Sequence, residues 1–182
     1  RMNKIGAYAF AGCINLEELI ISSSISQIGK YAFANCLSLN KLEFESIIQN
    51  RRELSYIFPS QLDKIPSYAF LNCRNLTKLE FSDNSMLEEI EDGAFFGCSG
   101  LENIVITGSV KHLGDYAFAF CRQVSATAFL KIDLLKNIGK GAFIYCESLP
   151  YFQLPRELER IRTRTFYGCS RLKFIKITDK VL

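Results

Sequence analysis

The stretch IGKYAFANCLSLNKLEF, residues 28–44, decides the fold, because its wording returns along the chain. It comes back as IPSYAFLNCRNLTKLEF at 65–81 and, shortened, as LGDYAFAFC at 113–121. All seven cysteines, Cys13, Cys36, Cys73, Cys98, Cys121, Cys146 and Cys169, stand three residues after a phenylalanine and three before a leucine or valine. Their spacings of 23, 37, 25, 23, 25 and 23 reduce to one unit of about 23 residues once a single insertion of 14 is set aside. A fixed period of this size defines a repeat array.

Counted from its cysteine, each unit has apolar residues at eleven and eight positions before, the Ala-Phe pair at four and three before, and apolar residues at three, six and eight after. In the second unit these slots hold Ile25, Ile28, Ala32, Phe33, Leu39, Leu42 and Phe44. No single helix or strand has that spacing. The tail, Leu42-Glu43-Phe44, alternates as a half-buried strand does. The Ala-Phe-x-x-Cys segment predicts one tight helical or 3₁₀ turn with alanine, phenylalanine and cysteine on its inner face. A slab this thin cannot cover its own apolar side, so units stack and their strands join in a parallel sheet at about 4.8 Å per strand. The expectation is an α/β repeat solenoid of about seven units over residues 1–182, with an insertion at 45–58.

Composition agrees. Hydrophobic residues make up 48% of the 182, enough for a continuous core, and no apolar run approaches the roughly 18 residues that cross a bilayer. No signal-peptide pattern opens the chain, and Met2 falls in the slot that Ile25, Leu62, Leu87, Val110, Leu135 and Leu158 hold elsewhere. Val181 falls in the same slot of an eighth unit, so both ends cut through a repeat and a fragment of a longer protein, monomeric as a fragment, is expected. The cysteines share the inner face with phenylalanine, which favours packed free thiols over a disulfide framework. A zinc site would need ligands from separate units, without any C-x-x-C pair and with His112 as the sole histidine, so no metal is expected.

The quoted segments, together with PSQLDKIPSYAF at 59–70, resemble the BspA-like leucine-rich repeat family over nearly the whole chain. The resemblance implies a right-handed leucine-rich-repeat coil with a parallel sheet on its concave face. It also implies a secreted or cell-surface protein of the adhesin kind, without catalytic residues or cofactors. An intracellular scaffold, or a spacer for a distant domain, would carry the same repeat.

The residues themselves offer no chemistry. His112 follows Lys111 in a connecting segment, and Glu88, Glu89, Glu157 and Glu159 lie in segments where solvated charge is the ordinary state. Function in a solenoid sits where the repeat leaves residues free. The outward positions five and seven after each cysteine form two columns: Glu18, Lys41, Lys78, Asn103, Ala126, Tyr151, Phe174, and Ile20, Glu43, Glu80, Val105, Ala128, Gln153, Lys176. The face changes from charged to small and aromatic along the chain, and Val105, Ala126, Ala128, Tyr151, Gln153, Phe174 and Lys176 are the candidate contact patch for a protein or glycan. Alternatively, further structure covers Tyr151 and Phe174.

Two other segments stand out. The insertion ESIIQNRRELSYIF, Glu45 to Phe58, carries Arg51, Arg52 and Tyr56 and is either a binding loop or a short helix or hairpin folded back on the solenoid edge; the second is favoured. Residues 155–182 carry net charge +5 against −2 for the rest, yet arginines interleave with few aromatics there, so a solvated rim rather than a nucleic-acid site is expected. The sequon Asn75-Leu76-Thr77 would matter only in a eukaryotic secretory protein.

Overall fold

The computed structural model describes residues 2–48, 51–55, 57–81, 84–106, 109–125, 132–158 and 160–177. One set of short strands precedes the Ala-Phe segment of its unit: β1 (Lys4–Ile5), β3 (Gln27–Ile28), β7 (Lys64–Ile65), β9 (Glu89–Ile90), β11 (His112–Leu113) and β12 (Asn137–Ile138). A second set follows the cysteine: β2 (Glu18–Ser22), β4 (Lys41–Ile48), β8 (Lys78–Phe81), β10 (Asn103–Val105), β13 (Tyr151–Gln153) and β14 (Phe174–Lys176). The insertion adds β5 (Arg51–Ser55) and β6 (Ile57–Phe58). Every pairing is parallel except β4 with β5, so each turn of the coil lays its strands beside those of the next. The chain is a parallel β-solenoid of about seven units, and like residues stack on like.

The phenylalanine ladder shows this directly. Phe10, Phe33, Phe70, Phe95, Phe118, Phe143 and Phe166 stack with ring centroids 5.0–5.9 Å apart and planes within 15° of parallel. Phe33 and Phe70 are 5.0 Å apart although 37 residues separate them, so the insertion loops out without disturbing the core spacing. Beside this ladder run the buried aliphatics Ile28, Ile65, Ile90, Leu113 and Ile138, and Leu39, Leu76, Leu101, Val124 and Leu149. In the alanine slot the last unit has Thr165, which is buried with its hydroxyl donating to the Arg162 carbonyl at 2.7 Å.

The Ala-Phe-x-x-Cys segment differs from the expected helical turn, and no helix occurs among the described residues. In the second unit the N–H groups of Ala32, Ala34 and Cys36 close turns onto carbonyls three residues back, at 3.1–3.2 Å. The alternate N–H groups, of Tyr31, Phe33 and Asn35, donate instead to Ser67, Ala69 and Leu71 of the next unit, at 3.2, 2.8 and 2.7 Å. A 3₁₀ turn would direct all of these donors inward and leave the joint without hydrogen bonds. Successive β-turns serve both needs, and the same three-bond joint recurs between all seven units, for example Gly93, Phe95 and Gly97 onto Asp115, Ala117 and Ala119 at 2.8 Å each.

Such alternation requires two left-handed residues per unit. They are Tyr8, Tyr31, Tyr68, Gly93, Tyr116, Gly141 and Arg164 at the first position and Gly12, Asn35, Asn72, Gly97, Phe120, Tyr145 and Gly168 at the second, with φ from 55° to 76°. For a residue with a side chain this costs on the order of 1–2 kcal/mol. Stacking of Tyr8 on Tyr31 and Tyr31 on Tyr68, at 4.9 and 5.0 Å, offsets part of it. The Tyr68 ring then lies over Gly93, in the space a Cβ there would need, so glycine at 93 serves both the backbone angle and the ring above it.

Cysteine has a specific place in this joint. All seven thiols are free, and from Cys36 onward each Sγ–H donates to the phenylalanine carbonyl of the preceding unit at 2.9–3.2 Å. Alanine would leave a gap and serine a strongly polar hydroxyl, whereas the thiol is a small hydrophobe with one weak donor. Burial pushes the thiols up, to about 11 for Cys36 and Cys169 and about 12 for Cys98. Cys13 alone is exposed.

The insertion is a hairpin rather than a helix. Strand β4 runs on past its neighbours and returns antiparallel as β5, with Phe44 opposite Ser55 and Ile48 opposite Arg51. Strand β6 then lies beside β8, where Phe58 is buried and stacks on Phe81 at 4.8 Å.

Two outcomes test this account. Replacing Phe58 or Phe95 by alanine is expected to lower the free energy of unfolding by roughly 3–5 kcal/mol in urea titrations, because both rings are fully buried. In reductant, the thiols are expected to leave stability unchanged below pH 9 and to lower it between about 9.0, the ordinary thiol value at which the unfolded chain ionises, and the native values near 11 to 12. A Cys98→Ala variant should show a shallower alkaline slope, by up to about 1.4 kcal/mol per pH unit.

Candidate binding face

The columns read from the sequence are neighbours in the sheet. Glu18 pairs with Lys41, Lys78 with Asn103, and Tyr151 with Phe174 in the first; Ile20 with Glu43, Glu80 with Val105, and Gln153 with Lys176 in the second. Each pairing follows from the register of parallel strands, in which a period of one unit returns a side chain to the same row. Between Lys41 and Lys78 the rows are interrupted. There β5 and β6 enter, so Ile57 rather than Glu43 stands opposite Glu80.

The charged half of the face neutralises itself. Lys41 lies 3.7 Å from Glu18 and 3.5 Å from Glu43, and Lys78 lies 2.9 Å from Glu80. Glu43 is buried despite its outward position, and its Oε2 accepts no hydrogen bond from a described residue. At the other end the face carries open rings: Tyr151 is 43% and Phe174 62% exposed, while the exposed Ile177 belongs to the inward row eight after its cysteine. Gln153 and Lys176 are also exposed, whereas Val105 is half-buried. Ala126, Ala128 and Tyr56 lie outside the described residues, and Arg51 and Arg52 are placed only as backbone in β5.

Elsewhere the polar groups serve structure. His112 sits on β11, where its Nδ1 is 3.0 Å from Asn137 Nδ2. Glu88 pairs with Lys111 at 2.6 Å, which holds its carboxyl below the usual range. Burial alone would raise the Glu91 carboxyl, but hydrogen bonds from Lys64 and from the Ser67 hydroxyl and N–H outweigh it and hold it low. No cluster of three or more metal-ligating side chains occurs among the described residues. No helix of the described residues is long and apolar enough to cross a membrane. Arg156, Arg160, Arg162, Arg164, Arg171 and Lys173 are all exposed.

A second aromatic strip lies outside the apolar slots of the repeat. Phe96 and Phe120 meet at 5.2 Å and Phe120 stacks on Tyr145 at 5.1 Å, along the turn edge. The available signal was a bulky ring at the residue before Cys121 and Cys146, where the other units have glycine or asparagine.

A parallel coil with this repeat is a leucine-rich-repeat solenoid. The chain matches the BspA type leucine rich repeat region in six copies, over residues 1–57 and 50–173, and belongs to that family. No curated protein matches it. Among solved structures, a leucine-rich repeat protein from Bacteroides ovatus is 28% identical with a TM-score of 0.82, over 98% of this chain and 42% of that one. A leucine rich cell surface protein from Faecalibacterium prausnitzii is 24% identical with a TM-score of 0.61, over 96% of this chain and 51% of that one. The leucine rich repeat protein of T. pallidum is 25% identical with a TM-score of 0.58, over 94% and 61%. The chain thus spans about half the length of the proteins it resembles.

Because the Lys78–Glu80 pair is exposed, Lys78→Ala is expected to change the urea midpoint by no more than about 1 kcal/mol equivalent. That variant is therefore a neutral control for the face.

Proposed function

We propose that this chain is a non-enzymatic binding module that takes a protein or glycan partner on the concave sheet, at a cell surface or outside the cell. One observation carries the reading: Tyr151 and Phe174 form an adjacent pair of exposed rings on a regular sheet, bordered by Gln153 and Lys176. Rigid rings bury large apolar area with little loss of side-chain freedom, and a polar border supplies orientation. The self-paired charges of the N-terminal half leave that part of the face with little net field for a partner. Membership of the BspA type and the likeness to a cell surface protein of Faecalibacterium prausnitzii support an extracellular setting. Val105 and the row positions of Ala126 and Ala128 would extend the patch.

Tyr151→Ser with Phe174→Ser is expected to abolish retention of a partner captured by the intact chain in surface plasmon resonance, with Lys78→Ala binding normally. Undiminished binding by the double variant would overturn the assignment. Duplex DNA at physiological salt should not be retained, despite the exposed arginines of the last unit.

A further inference from the structure

We propose that the turn edge between the third and fifth units is a separate binding site for an acidic sugar, a pyranose bearing a carboxylate. A recess of about 440 Å³ opens there, lined by Asn72, Arg74, Phe96, Ser99, Phe120 and Arg122. Its size suits one or two sugar rings. It lies along the turns rather than the sheet, so it is independent of the Tyr151 and Phe174 patch.

Three observations point to this ligand. Phe96 and Phe120 are half-buried and meet at 5.2 Å with planes 51° apart, forming two walls of an open cleft. A ring face offered at such an angle is complementary to the apolar C–H side of a pyranose. Next, Phe120 holds φ of 62° at a position where five of the seven units have glycine or asparagine, residues that tolerate the left-handed region. The left-handed backbone belongs to every unit, but the aromatic side chain that Phe120, like Tyr145, carries there does not, and the Phe120 ring lines the recess. Finally, the charge fits. Arg122 is oriented by Glu147, with Nη1 to Oε1 at 3.1 Å, whereas Arg74 is exposed and makes no ion pair with a described residue. Its planar fork is suited to a carboxylate, and Ser99 and Asn72, whose Nδ2 donates to Asn35 Oδ1 at 3.0 Å, also line the recess.

The test uses the 182-residue chain with sialyllactose and lactose, which differ by the acidic sugar alone, followed by saturation-transfer NMR and isothermal titration. Sialyllactose is expected to bind roughly tenfold or more tightly than lactose. Arg74→Gln, a surface change, should bring sialyllactose down to the lactose level, and Phe120→Gly should remove binding of both while keeping the native circular dichroism spectrum. Tyr151→Ser should bind sialyllactose as the parent does. Equal binding of the two sugars, absence of binding by either, or full binding by Arg74→Gln would overturn the proposal. Displacement of sialyllactose by an Asp-Glu peptide at the same concentration would also overturn it, in favour of a protein carboxylate.

Discussion

A unit of about 23 residues has one apolar side and nothing of its own to cover it, and the rest of this structure depends on the joint that supplies the cover. On the turn side that joint is three parallel hydrogen bonds, all donated toward the following unit, as from Tyr31, Phe33 and Asn35. On the strand sides it is short parallel pairing. The two left-handed residues of each unit exist because alternate peptides must face outward to reach the neighbour. The Cys-to-Phe carbonyl contact and the stacked rings occupy the space between them.

That division of labour explains why the chain tolerates an insertion. Between the second and third units β3 and β7 are not partnered, and the long strands are separated by a hairpin. The turn-side bonds and the Phe33–Phe70 stack nevertheless keep their usual lengths. A repeat held by three independent seams can open both strand seams and keep register through the turn side. Binding surfaces can therefore vary on the sheet and at its edge while the core ladder stays constant.

Much of the fold was legible because a stacked repeat converts sequence period into spatial adjacency. Once the cysteines were aligned, the rows Glu18 with Lys41, Lys78 with Asn103, and Tyr151 with Phe174 followed as sheet neighbours. The turn differs from the helical expectation because Ala-Phe-x-x-Cys has the three and four spacing of a helix, and spacing says nothing about where an N–H points. The aromatic strip at Phe96, Phe120 and Tyr145 is hidden for a related reason: Phe96 stands two residues before its cysteine and the other two stand one before theirs, so no single column of the repeat joins all three.

The amino-acid sequence by itself determined the repeat, its register, the buried ladders and the change of the sheet face from charged to aromatic, since each depends only on which residue types recur at a fixed interval. Tertiary structure alone decided the donor alternation in the turns, the hairpin between the second and third units, the burial of Glu43 and the recess at Phe120. The last three arise from contacts between side chains that hold no common slot and the first from where each N–H points, and a period carries no information about either.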